Sequence, residues 1–313
     1  MREAIRRQAS TGGMPPWLAG PVLGPAPRLD ADAARRYCVA RATSHYENFP
    51  VALSLLPRAR REALAAVYTF ARTADDFADE PVFEGRRDAL LDGWEIELQR
   101  CFDGRAEHPV FVALAAARSA FRLELVPFLD LLSAFRQDVR VRRYRTFDEV
   151  LDYCRRSADP VGRLVLRILG IDDPVNRGLA DRICTALQLA NFWQDLSVDL
   201  PRDRLYLPLE DLDRFHVRVD DVLARRVAPG LAELLRFELH RTAALFQAGS
   251  ALIARSGWPG CVYLGAVWTG GRTVLAMTRT AGTRVLRERP ALGARAAVRW
   301  LWSGVRQAGT GIS

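Results

Sequence analysis

From Asp30 onward, apolar side chains recur at three- and four-residue intervals, with Ala, Leu and Arg dominant and hardly any period-two alternation between turn signals. That pattern predicts amphipathic helices nearly throughout and argues against a sheet. It is interrupted at Pro50 to Pro57, Pro81 to Gly85, His108-Pro109, Pro127, Gly170 to Pro174, Pro201 to Pro208, Pro229-Gly230, Gly257 to Gly260 and Pro290. Proline lacks the amide hydrogen a helix interior uses, and glycine weakens the helix entropically, so these positions predict about eight to ten helices. No shift in composition marks a linker. Residues 30–290 therefore read as one all-α domain. The Gly- and Pro-dense run from Thr11 to Pro27 places a flexible leader over residues 1–29, and residues 291–313 read as a basic C-terminal segment.

Composition narrows the chemistry. All 45 basic residues are arginine, and the absence of lysine excludes a pyridoxal Schiff base, a Ser-Lys dyad, a phosphate-loop lysine and a lysine general base. There is no GxGxxG after a strand and no GxSxG elbow, which leaves dinucleotide folds and hydrolase triads without footing. Cys38, Cys101, Cys154, Cys184 and Cys261 are odd in number and lack a CxxC pair, the pattern of reduced thiols in a cytoplasmic protein. His45, His108, His216 and His240 never stand four apart, so a histidine-based metal site is not expected. No apolar signal core opens the chain, and no stretch approaches about 18 uninterrupted apolar residues, so neither export nor a spanning helix is expected.

After Thr280 six arginines face Glu288 alone, which accounts for five of the eight net positive charges. Arg295, Arg299 and Arg306 accompany Trp300, Leu301 and Trp302, a composition suited to a peripheral contact with an anionic membrane surface. A nucleic-acid partner is not expected, because no binding motif accompanies the charge.

Two acidic motifs carry the candidate chemistry. The first is Arg72-Thr-Ala-Asp75-Asp76-Phe-Ala-Asp79-Glu80, at the end of an apolar helical run. Asp75 and Asp79 stack on one helix face, with Arg72 one turn earlier. Carboxylates one turn apart repel unless a cation stands between them, and hard oxygen donors at this spacing suit Mg²⁺. The second is Gln188-Leu-Ala-Asn191-Phe-Trp-Gln194-Asp195-Leu-Ser-Val-Asp199. Asn191, Asp195 and Asp199 fall at i, i+4 and i+8, in a straight line on one otherwise apolar helix. An acidic stripe on a buried helix is costly unless a metal or cation accompanies it. Two such helices facing one another would form a cavity with acidic rims, a Mg²⁺ trap for a diphosphate. Beyond the second motif, Arg204 in Asp203-Arg204-Leu-Tyr206 has a guanidinium able to fork onto phosphate oxygens. Two weaker constellations are His45-Tyr46-Glu47-Asn48-Phe49 and Tyr153 to Gly162, whose small residues would let a helix or ligand approach closely.

The order and spacing of these motifs resemble the squalene/phytoene synthase family over roughly Tyr37 to Leu212. The resemblance implies an isoprenoid-synthase fold with a central cavity and three Mg²⁺ ions held by Asp75, Asp79, Asn191, Asp195 and Asp199. It implies that Arg72, Arg204 and Tyr206 serve the diphosphate and that Tyr68 and Tyr153 line the reaction cavity, making Arg72, Tyr68, Tyr153 and Tyr206 the catalytic candidates. His45, Asn48, Phe49, Arg72, Gln188, Phe192 and Arg204 are the candidate substrate-binding positions. Phe49, Tyr68, Tyr153, Phe192 and Trp193 are the expected wall of the pocket. Where the family carries a Ser-rich segment with lysine, this chain has Tyr46-Glu47-Asn48, and where it carries Arg and Glu in the second motif, this chain has Gln194 and Val198. Holding two diphosphates at once needs more cationic donors than remain.

HYENFPVA, FARTADDFADE and NFWQDLSVDL are similar to the hopanoid branch of that family, which implies conversion of presqualene diphosphate to hydroxysqualene with release of diphosphate. Its expected pathway partners are a presqualene diphosphate synthase and a hydroxysqualene-reducing flavoprotein. Two other readings stand beside it: complete head-to-head coupling of two prenyl diphosphates to squalene or phytoene, and a non-catalytic helical binding or assembly protein.

Overall fold

The computed structural model describes residues 28–44 and 56–290. Nearly all of the expected leader, the site candidates His45, Asn48 and Phe49, and the basic segment 291–313 lie outside the described residues. The described residues are helical, with no strand among them and one isolated parallel bridge between Arg143 and Leu205. They divide into two compact units. The first takes the chain up to Arg140 together with Leu164–Asp172, and the second takes Val141–Arg163 and everything from Asp173 on. The chain passes into the second unit at Val141, returns to the first at Leu164 and leaves it again at Asp173.

The first unit contains α1 (Ala31–Ser44), α2 (Arg58–Asp79), α3 (Arg87–Phe102), α4 (Pro109–Phe121) and α5 (Val126–Arg140). Helix α2 packs against all four others, and the sequence shows why. Leu64, Val67, Phe70, Ala74, Phe77 and Ala78 recur at helical spacing and are buried. The Phe70 ring meets Trp94 of α3 at 6.0 Å, Phe111 of α4 at 6.0 Å and Phe128 of α5 at 5.2 Å. Trp94 donates its indole N–H to the Phe70 carbonyl at 3.2 Å. Burying each such ring contributes roughly 1.5–3 kcal/mol, so the core holds α2 just before its acidic end. The helix stops at Asp79 because Glu80 is extended (φ −73°, ψ 133°) ahead of Pro81. At the expected break His108-Pro109, the His108 ring caps α4 by accepting the Val110 N–H at 3.3 Å. Burial pushes its pKa down to about 3, which keeps the ring neutral and able to accept.

In the second unit lie α6 (Phe147–Ser157), the start of α7 (Asp159–Leu169), α8 (Pro174–Gln194), α9 (Leu196–Asp199), α10 (Leu209–Arg214), α11 (Val219–Leu223), α12 (Leu231–Gly249), α13 (Ala251–Arg255) and α14 (Gly260–Ala281). Helix α8 begins at an Asp173 cap, whose carboxylate accepts the Val175 and Asn176 N–H groups at 2.9 Å each, followed by Pro174 at the first position. It packs against α6, α12, α13 and α14, which makes it the axis of this unit. Two glycines permit the approach. A Cβ on Gly162 would stand 2.7 Å from Cys184 Sγ, and one on Gly249 would stand 2.5 Å from Ile183 Cγ1. The small residues near Tyr153 thus serve helix packing. Among the described residues there are fourteen α-helices, more than the eight to ten the Gly/Pro breaks predict, because four of them, α9, α10, α11 and α13, are short pieces of six residues or fewer. No helix among the described residues is long and apolar enough to cross a membrane, and all five cysteines are free thiols.

Candidate active site

Tyr68, Arg72, Asp75 and Asp79 lie on one face of the last three turns of α2, at i, i+4, i+7 and i+11. Tyr68 and Asp79 are half-buried, and the Arg72 and Asp75 side chains are each 35% exposed. Arg72 divides its guanidinium between two acids, Nη1 lying 3.0 Å from Asp75 Oδ2 and Nη2 2.8 Å from Asp76 Oδ1. Burial works against the Arg72 charge, but Asp75 and Asp76 outweigh it and hold its pKa above the ordinary value. Asp76 is 4% exposed and receives a second guanidinium on its other oxygen, from Arg41 of α1 at 2.8 Å. The sequence reading missed Arg41. It stands 35 residues before Asp76, and its only local signal is a basic residue near the end of a helix.

The second motif is not one straight helix, a correction to the expected i, i+4, i+8 line. Helix α8 ends at Gln194, and Asp195 is its C-cap with φ −95° and ψ 10°. The one-turn α9 follows, then a 3₁₀ turn over Leu200–Arg202, with Asp203 left-handed at φ 57°. Pro201 rules out a longer helix, because its ring clashes with the preceding turn. The bend itself coincides with tertiary ties at Gln194 and Asp195. Gln194 Nε2 donates to the Pro290 carbonyl at 2.6 Å. Arg289 forks onto Asp195, with Nε on Oδ1 and Nη2 3.3 Å from Oδ2. The i, i+4 backbone bonds nevertheless persist, since the Asp195 N–H reaches the Asn191 carbonyl and the Asp199 N–H the Asp195 carbonyl, both at 2.9 Å. Asn191 is exposed, and Gln188, Asp195 and Asp199 are half-buried.

Beyond the motif the chain runs extended beside residues 142–147. Leu205 N–H bonds to the Arg142 carbonyl at 3.0 Å, Leu209 N–H to the Tyr144 carbonyl at 2.9 Å, and Arg143 pairs with Asp203. This pairing sets Tyr206 flat on Phe192, with centroids 3.7 Å apart and planes 6° apart. Tyr153 lies 5.9 Å from Phe192 and 6.0 Å from Tyr206, and Tyr144 stacks on Tyr206 at 5.6 Å. Arg204 is buried beside them in sequence, its N–H bonded to the Asp199 carbonyl at 3.1 Å. Tyr153, Phe192 and Tyr206 are thus brought together as one aromatic wall. Tyr144, which the sequence reading did not single out, completes it. Trp193 does not belong to the wall. One residue round the helix from Phe192, it is fully buried and donates to Thr242 Oγ1 of α12 at 2.9 Å.

Among the described residues, no three His, Cys, Asp or Glu side chains stand together as a metal cluster. Each motif instead offers hard oxygen donors that are partly open to solvent, at Asp75 and Asp79 and at Asn191, Asp195 and Asp199. Such a donor set fits Mg²⁺, which takes one or two carboxylates and completes its octahedron with water and phosphate oxygen.

The family model for squalene/phytoene synthase matches residues 42–296. The chain is 38% identical over 215 residues to hydroxysqualene synthase of Rhodopseudomonas palustris, covering 68% of this chain and 72% of that protein. It is 34% identical over 230 residues to phytoene synthase of Arthrospira platensis, covering 69% and 74%. Its fold is similar to the crystal structure of squalene synthase HpnC from Alicyclobacillus acidocaldarius, with a TM-score of 0.76 and 41% identity over 80% of this chain and 95% of that one.

Proposed function

Because the chain belongs to the squalene/phytoene synthase family, a family of isoprenoid-forming enzymes, we propose that it converts presqualene diphosphate to hydroxysqualene with release of diphosphate. The observation that carries this choice within the family is Gln194. Its side chain is a neutral amide spent on the Pro290 carbonyl, so this position offers no cation to a second diphosphate. The similarity to a hydroxysqualene synthase and to the HpnC enzyme supports the same choice.

In the reaction, the bond between the cyclopropylcarbinyl carbon and the diphosphate oxygen breaks and its electron pair leaves with the diphosphate. Asp75 and Asp79, with Asn191, Asp195 and Asp199, are the residues that would hold Mg²⁺, which would neutralise charge on the leaving diphosphate. Arg72 and Arg204 donate hydrogen bonds to the departing oxygens, whose charge grows as the bond breaks. Tyr153 and the stacked Phe192–Tyr206 pair form the aromatic surface beside which the carbocation rearranges, and a ring face open to it contributes roughly 0.5–2 kcal/mol. Water adds to the rearranged cation and loses a proton, so no oxidant or reductant is consumed. A presqualene diphosphate synthase would supply the substrate and a flavoprotein reductase would consume the alcohol, in a hopanoid sequence. A water-insoluble product suits a peripheral position at the membrane.

The similarity to phytoene synthases favours a second reading, coupling of two prenyl diphosphates. Incubation with presqualene diphosphate, Mg²⁺ and ¹⁸O-labelled water separates the two. The proposal expects a C30 alcohol carrying the label, whereas efficient formation of squalene from farnesyl diphosphate and NADPH, or of phytoene from geranylgeranyl diphosphate, would replace it with coupling.

A further inference from the structure

We infer that Asp76 is a positioning residue: clamped between Arg41 and Arg72, it fixes the Arg72 guanidinium beside Asp75 and is not itself a metal ligand. The inference deepens the proposed function, since it assigns Arg72 to a diphosphate. Each carboxylate oxygen of Asp76 has its own guanidinium, Oδ1 that of Arg72 and Oδ2 that of Arg41, both at 2.8 Å. The Arg41 and Asp76 side chains are 7% and 6% exposed. A buried carboxylate held this way cannot turn out to a metal without stranding two cations in the interior, the costliest arrangement open to it.

Arg41 is itself fixed. One turn earlier on α1, the Cys38 carbonyl accepts the Thr69 hydroxyl of α2 at 3.3 Å, which ties the two helices together at this level. Arg72, by contrast, is held only near its tip. Its Nε is buried without a hydrogen-bond partner, while Nη1 and Nη2 go to Asp75 and Asp76. Arg41, Asp76, Arg72 and Asp75 therefore form an alternating chain of charge that runs from the core to the half-open face of α2. Without its buried end, the Arg72 side chain would recover its rotamer freedom and lose its place.

The test uses the full chain below its melting temperature, with Mn²⁺ alone and then inorganic pyrophosphate in saturating Mn²⁺ as probes. Asp76→Asn should bind Mn²⁺ within about twofold of wild type yet bind pyrophosphate about 10- to 100-fold more weakly, the usual effect of losing an orienting partner. Asp75→Asn should lose Mn²⁺ affinity itself. If Asp76→Asn fails to fold, Arg41→Lys carries the comparison and should weaken pyrophosphate alone. Loss of Mn²⁺ binding in Asp76→Asn would make Asp76 a ligand. Wild-type pyrophosphate affinity in a variant that only melts lower would make the clamp purely structural. Either result overturns the inference, and a wild-type chain that binds neither probe overturns the functional reading before any variant is compared.

Discussion

Asp76 in the first unit and Asp159 in the second are equally buried, each 4% exposed, and the chain treats their charges in opposite ways. Asp76 meets two guanidiniums. Asp159 accepts the Thr185 hydroxyl at 2.9 Å, and its pKa is pushed up to about 7 by burial first and by the nearby Asp181 second. A hydroxyl solvates a carboxylate less well than a cation does, so burial raises the pKa of Asp159, whereas Asp76 is held in two ion pairs. The two acidic motifs differ in the same sense. The first draws its cations from the core of its own unit, at Arg41 and Arg72. The second draws one from a half-exposed arginine 94 residues away, Arg289 on Asp195. The pair in the second motif is therefore the more exposed to salt.

The sharpest test of that contrast is whether both motifs serve one reaction. Asp75→Ala and Asp195→Ala should each lower turnover of presqualene diphosphate by more than about 100-fold, at least about 2.7 kcal/mol of barrier. Their helical circular dichroism should stay unchanged. Near-normal turnover in either variant would separate the motifs functionally.

Next in size is the buried clamp. Arg41→Ala leaves Asp76 with one of its two partners and should cost about 3–5 kcal/mol in urea unfolding. A loss under about 1 kcal/mol would place the clamp among ordinary surface pairs.

The raised pKa of Asp159 has a pH signature of its own. Asp159 has an ordinary pKa of 3.8 in the unfolded chain and one of about 7 in the fold. Between those values the folded chain keeps a proton that the unfolded chain releases, so this group's stabilisation is complete below about pH 4 and is lost as pH rises through about 7. Asp159→Asn, which still accepts from Thr185, should match wild type near pH 4. At pH 8 it should exceed wild type by about 4 kcal/mol, the worth of the shift from 3.8 to about 7. Unfolding curves at the two pH values check the sign, and a variant that is less stable than wild type at pH 8 would show that the fold does not raise the Asp159 pKa.

The smallest effect is expected at Arg289. Its exposed pair should contribute less than about 1 kcal/mol at low salt and nothing measurable in about 0.5 M NaCl. With Asp195 released, Arg289→Gln should also bind Mn²⁺ a few-fold more tightly than wild type in a titration without substrate. Equal or weaker Mn²⁺ binding would mean that Arg289 does not compete for that carboxylate.

Much of this molecule is legible in the chain itself. The 3.6-residue recurrence of Leu64, Val67, Phe70, Ala74 and Phe77 is enough to expect α2 and its buried face, and Gly/Pro punctuation locates most helix ends, because both signals act within one or two turns. The same local geometry placed Asp75 over Asp79 and Phe192 near the second motif. Trp193 could not be told from a pocket wall, since both faces of α8 are apolar and only the position of Thr242 on α12 distinguishes them. The break at Asp195 and the pairing of residues 142–147 with 203–210 depend on segments distant in sequence, and no local propensity encodes them.

By itself, then, the sequence determined the helical class, most of the helix boundaries, the two sets of oxygen donors and the family they resemble. Each of these follows from side chains within a few residues of one another. Only the tertiary structure decided which charges are paired: Arg41 with Asp76, Arg289 with Asp195, and Thr185 in place of a cation at Asp159. Those partners come from other helices, and the balance between desolvation and pairing that sets each charge does not exist until the helices pack.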